Sequence, residues 1–174
     1  MRNLFIILLF LFVGEQTVHA QKTIKIWVVR HAEKDVSDPK DKDPDLSPQG
    51  KERAEALAKY LKGEKIDSIF STNYKRTRLT GYPTADKIGL SIYTYDPSAQ
   101  KELAKGLIKN AEGKKILIIG HSNTVQEILV AFGATKPVKD LTDDDYDYIF
   151  TLTIKGDKRE VKVDRYGAEH HTKE

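Results

Sequence analysis

The chain has 174 residues, 39% hydrophobic and 32% charged, which is enough for one folded domain with its own core and excludes a disordered or fibrous protein. The formal net charge is +3, and no block of Lys and Arg with interleaved aromatics marks a nucleic-acid face. There is no cysteine, which excludes disulfides, thiolate metal sites and a thiol nucleophile and leaves Ser, Thr, His, Lys or a carboxylate for any covalent chemistry.

Residues 1–20 read as an export signal: Arg2, then the unbroken apolar run "LFIILLFLFV" at 4–13, then "VHA" at 18–20. That run is too short to span a bilayer, so cleavage after Ala20 is expected, an uncleaved membrane anchor being the alternative, with a single domain over residues 21–174. The mature protein is then periplasmic or extracellular, with no membrane attachment.

"IKIWVV" at 24–29 is nearly continuous apolar sequence, as a buried parallel strand is. Residues 32–46 carry Pro39 and Pro44 and form a loop. Ser47-Pro48 is an N-cap followed by proline in the first helical turn, and Ala54, Leu57, Ala58 and Leu61 line one helical face ending at Gly63. A second strand is expected over 66–70 and a helix from about Lys75, disturbed at Pro83. A third strand follows at 91–95. The next helix has Leu103, Ala104, Leu107, Ile108 and Ala111 as its buried face. "KILII" at 115–119 is the most apolar strand; it runs into "GHSN" and a helix with Val125, Ile128, Leu129 and Phe132 inward. "YDYIFTLTI" and "EVKVDRY" flank "KGDKR" as a hairpin. The tail "AEHHTKE" reads as frayed. The order βαβα… closed by a hairpin predicts an α/β three-layer sandwich: a mostly parallel sheet, helices on both faces and an antiparallel C-terminal edge hairpin.

Ligands of an open parallel sheet bind beyond the carboxyl ends of its strands. Those ends deliver Arg30 and His31, then Ser71 and Arg76, then Asp96, then His121 with Ser122 and Asn123. Taken singly, each has a plain structural reading; their convergence on one sheet edge favours a phosphoryl site. Arginine forks bind phosphate oxygens, a neutral imidazole can attack phosphorus, a protonated one can stabilise the equatorial oxygens, and a carboxylic acid can protonate the leaving oxygen. Two arginines beside His31 and His121 would repel a metal cation, so no metal or other cofactor is expected.

Four motifs carry a family resemblance: "RHAEK", "LSPQGKERA", "STNYKRTRLT" and "GHSN", in that order between Arg30 and Asn123. The chain resembles the histidine phosphatase superfamily, of phosphoglycerate-mutase-like fold. The resemblance implies His31 as the nucleophile that becomes phosphorylated. It implies Arg30, Arg76 and His121 as the phosphate pocket, with Ser122 and Asn123 lending backbone N–H groups. It also implies a carboxylic acid after the third strand, where Asp96 stands; Glu33 is the rival. Ala32 replaces the family's usual glycine. Lys34 either reaches an anionic substrate or stays solvated, the second being the more ordinary state of a loop lysine.

The expected function is a metal-independent phosphatase for a small phosphorylated substrate, working through phosphohistidine at His31. A phosphomutase, which needs enclosing segments to keep water out, and a phosphate-binding protein without catalysis are the alternatives. The physiological substrate and the oligomeric state are not encoded legibly.

Overall fold

The computed structural model describes residues 22–172. The expected export signal and its cleavage site lie outside the described residues. Strands β1 (Ile24–Arg30), β2 (Ser68–Ser71), β3 (Ile92–Thr94), β4 (Lys115–Gly120), β5 (Tyr148–Lys155) and β6 (Lys158–Arg165) form one sheet in the order β3-β2-β4-β1-β5-β6. β3, β2, β4 and β1 are mutually parallel, with Arg30 opposite Gly120. β5 runs antiparallel to β1, and β6 antiparallel to β5. The expected sandwich with an antiparallel edge hairpin is therefore the observed fold.

β1 is central, so both of its faces are covered and its apolar run needs no polar alternation. Trp27 and Val29 pack with Leu57, Leu61 and Ala85 under helices α1 (Pro48–Tyr60) and α2 (Lys75–Ile88). Ile26 and Val28 pack with Ala104, Ile128 and Leu129 under α3 (Gln100–Asn110) and α4 (Val125–Ala131). The outer strand β6 alternates charged residues toward solvent, which blunts a free sheet edge. Among the described residues no helix is long and apolar enough to cross a membrane.

Three local expectations change. α2, expected to be disturbed at Pro83, runs through it as one helix to Ile88. Ile108 stands on the exposed side of α3, whose fully buried residue is Ala104. The tail is not frayed as far as Thr172: it folds back and is hydrogen-bonded, because Asp145, Asp147 and Glu33 present carboxylates to it.

Candidate active site

Arg30 and His31 leave the end of β1 beside the end of β4, since the parallel register puts Arg30 next to Gly120 and His31 N–H donates to the Gly120 carbonyl at 2.9 Å. The next residue is pinned too. Ala32 N–H donates to Thr80 Oγ1 at 2.9 Å, and the Thr80 hydroxyl donates to the Arg76 carbonyl at 2.7 Å. This ties the first strand end to the first turn of α2. Ala32 is fully buried and does not have a positive φ, so alanine fits this turn without strain.

His31 is 5% exposed. Its Nδ1 lies 2.7 Å from the Ala32 carbonyl oxygen, which can only accept, so Nδ1 carries the proton and Nε2 keeps its lone pair. Burial, aided by Arg30, His121 and Arg76, pushes its pKa down to about 3. The His121 ring lies 5.4 Å away, edge-on. Its pKa is pushed down to about 4 by burial and by Arg76 and Arg30. Desolvation first, then the two guanidinium groups, favour the neutral form of His121. His121 Nε2 is 3.0 Å from Thr72 Oγ1, and His121 N–H donates to Thr124 Oγ1 at 2.9 Å.

Arg30 Nη1 donates to the carbonyls of Thr142, Asp143 and Asp145 at 2.8, 3.0 and 3.1 Å. The guanidinium carbon sits 3.8 Å from the centre of the Tyr146 ring. Its Nε is buried with no partner among the described residues, and its Nη2 lies 3.6 Å from the exposed Asp143 carboxylate. Arg76 lies 4.4 Å from the Tyr74 ring centre and 3.8 Å from Asp43. Arg30, His31, Lys34, Arg76, His121, Ser122 and Asn123 all line one cleft of about 370 Å³, with Tyr74, Pro97, Thr124 and Asp143. Seven of the ten residues singled out from the sequence thus share one cleft; Ser71, Asp96 and Glu33 do not line it.

A match to the model of the histidine phosphatase superfamily (branch 1) covers residues 26–97. Phosphoserine phosphatase 1 of Hydrogenobacter thermophilus is 38% identical over 78 residues, 42% of this chain and 36% of that protein. The matched stretch is thus about a third of that relative's length. The fold matches the protein histidine phosphatase SixA complexed with tungstate (TM-score 0.63, 17% identity, 82% of this chain and 95% of that one). It also matches YhfR of Bacillus stearothermophilus (TM-score 0.66, 15% identity, 80% and 96%). Over residues 26–97 the chain thus resembles the histidine phosphatase superfamily, and its fold is that of these solved structures.

The carboxylate after the third strand is where the structure departs from the sequence-based assignment. Asp96 is exposed and does not line the cleft; its Oδ1 accepts from Ser98 N–H at 2.8 Å and from the Ser98 hydroxyl at 2.6 Å. Those bonds hold its carboxyl below the usual range, the reverse of what an acid catalyst needs. Glu33, the rival, is buried against Arg53, whose Nε lies 2.8 and 2.9 Å from its two oxygens and whose Nη2 lies 2.7 Å from Oε1. Despite its burial, the bonds from Arg53 and His170 hold its pKa below the ordinary value. Neither carboxyl is poised to give up a proton in the cleft.

Sequence reasoning missed Thr72, Thr80, Arg53 and Tyr146. Thr72 and Thr80 sit in the "STNYKRTRLT" motif, where their hydroxyls had a legible place. Arg53 and Tyr146 act through contacts far along the chain. Among the described residues no group of three or more His, Asp or Glu side chains is placed to hold a metal ion.

Proposed function

We propose that this protein is a phosphatase in which His31 Nε2 attacks phosphorus in line and forms a phosphohistidine that water then hydrolyses. The observation that carries the proposal is the His31 tautomer: the Ala32 carbonyl holds Nδ1–H, leaving a neutral Nε2 lone pair inside a cleft that has two arginines. Arg30 and Arg76 hold the non-bridging oxygens. His121 sits beside the nucleophile, and a dianionic phosphate would favour its protonated form. Ser122 and Asn123 at the turn after β4 offer backbone N–H groups to the same oxygens, and Lys34 stands at the rim. No step needs a metal.

Among the cleft-lining residues Asp143 is the one carboxylate, and it is fully exposed, 3.6 Å from Arg30 Nη2. The cleft therefore suits leaving groups that depart without a proton, such as an aryl oxide, or a nitrogen protonated before P–N cleavage. The SixA protein that shares the fold is named a protein histidine phosphatase, and an open cleft of this size admits phosphate borne on a larger carrier. The same reading keeps residues 1–20 as a cleaved export signal, with Gln21 as the first residue found by N-terminal sequencing of secreted protein.

The test is phosphate release from aryl and alkyl phosphates by the purified protein, with and without chelator. The expected result is chelator-resistant turnover, faster for aryl esters, and acid-labile phosphate trapped on the wild type but not on His31→Ala. Full activity in His31→Ala would remove the phosphohistidine, and loss on chelation would remove metal independence.

A further inference from the structure

Arg30 does not hold itself in place. Three of its hydrogen bonds go to backbone carbonyls of residues 142–145, and its flat face rests on Tyr146. All these partners belong to an irregular segment between α4 and β5, with no ladder of its own. What fixes that segment is the C-terminal tail. Tyr146 N–H donates to the His170 carbonyl at 2.9 Å, and the two rings lie 4.9 Å apart. The buried Asp147 carboxylate accepts from His170 N–H at 3.1 Å and sits 2.7 Å from His171 Nδ1. Asp145 accepts from Thr172 N–H at 3.0 Å while also accepting from Thr142 N–H.

The same tail is bolted to the other side of the site. His170 Nδ1 lies 2.7 Å from Glu33 Oε1, two residues beyond the nucleophile. Arg53, already paired with Glu33, donates to the Tyr166 and Ala168 carbonyls at 3.0 Å each. His170 therefore joins the loop that holds the Arg30 guanidinium to the turn that follows His31.

We propose that residues 167–172 form a latch that positions Arg30 for phosphate, with His170 as its positioning residue. His170 does not line the cleft; it acts through Tyr146 and Glu33. The proposal rests on Arg30 being a phosphate clamp, as argued above.

The experiment compares the wild type with His170→Ala and His170→Asn in the full chain, the asparagine amide standing where Nδ1 stands. Three quantities are read: the inhibition constants of inorganic phosphate and tungstate, the thermal midpoint, and backbone amide exchange across residues 142–147. His170→Ala is expected to weaken both oxyanions about ten-fold, as a misplaced binding group does. It should speed exchange in 142–147 while β4 and α2 stay protected, and His170→Asn should restore both readouts. Unchanged exchange at 142–147 in His170→Ala overturns the latch whatever the protein's chemistry. Oxyanion affinity that falls only in step with the thermal midpoint, with no rescue by asparagine, reduces the tail to a stability role and overturns it as well. If the wild type binds neither phosphate nor tungstate, the phosphatase reading fails, and exchange still reports the latch separately.

Discussion

At the scale of single residues, burial decides what each charge can do. Glu33 and the 2%-exposed Arg53 are buried together, so each is tolerable only because of the other. Arg53→Met would leave the carboxylate without its main partner and is expected to cost about 3–5 kcal/mol in urea unfolding, the range for breaking a buried pair. His31 shows the same physics at a group that stays neutral. With its pKa near 3 and that of His121 near 4, both imidazoles are unprotonated at neutral pH. The nucleophile is lost only when Nε2 takes a proton, so activity must fall as pH drops through the folded-state value. For the phosphatase proposed here, kcat/KM corrected for ionisation of the substrate should stay flat between about pH 5 and 7 and fall below about pH 4. A limb at the ordinary imidazole value would mean that His31 is solvated in the working protein.

Elements show why much of the site was readable and some was not. The strand ends were legible because apolar runs as continuous as 24–29 and 115–119 need covered parallel strands, and the parallel rule then names the edge where ligands bind. The α1 start was legible because Ser47 and Pro48 do what their chemistry dictates: the Ser47 hydroxyl accepts from Gly50 N–H at 3.1 Å. Asp96 misled because its place after β3 says nothing about where its carboxylate turns, and Ser98 turns it outward. The tail misled because its partners are remote; His170 and Glu33 stand 137 positions apart. The junction of β4 and α4 carries a prediction of its own. A Cβ on Gly120 would sit 2.9 Å from Thr124 Oγ1 and 3.2 Å from the Tyr95 hydroxyl. Thr124 is the group that holds His121 N–H. Gly120→Ala should therefore cost about 1–3 kcal/mol by overpacking and lower turnover through the displaced His121, while Gly106→Ala, on open surface, should stabilise or leave stability unchanged. Equilibrium unfolding and steady-state kinetics on the two variants separate these outcomes.

For the whole molecule, the site's electrostatics set the pH range over which the fold holds. His31 and His121 have folded pKa values near 3 and 4, well below the ordinary imidazole value of 6.5 they regain on unfolding. The unfolded chain thus binds more protons in this interval, so stability rises with pH there and is lost as pH falls from about 6.5 toward the folded values. The carboxylates act in a lower window. Glu33 and Asp145 are held below their ordinary values by hydrogen bonds from Arg53, His170, Thr142 and Thr172. Their contribution is intact above the unfolded carboxylate pKa and disappears only as pH falls below it. Acid unfolding should accordingly begin near pH 6 on the imidazoles and steepen below about pH 4.5 on the carboxylates. The two windows can be told apart by His31→Asn, which removes one buried neutral imidazole and leaves the carboxylates in place. In urea titrations at a series of pH values, the variant should lose less stability than the wild type between about pH 6.5 and 3, and the two should run parallel only below that. Parallel curves throughout would mean that His31 takes up its proton in the folded state at its ordinary pKa, and the water-excluded site inferred from its burial would not hold in solution.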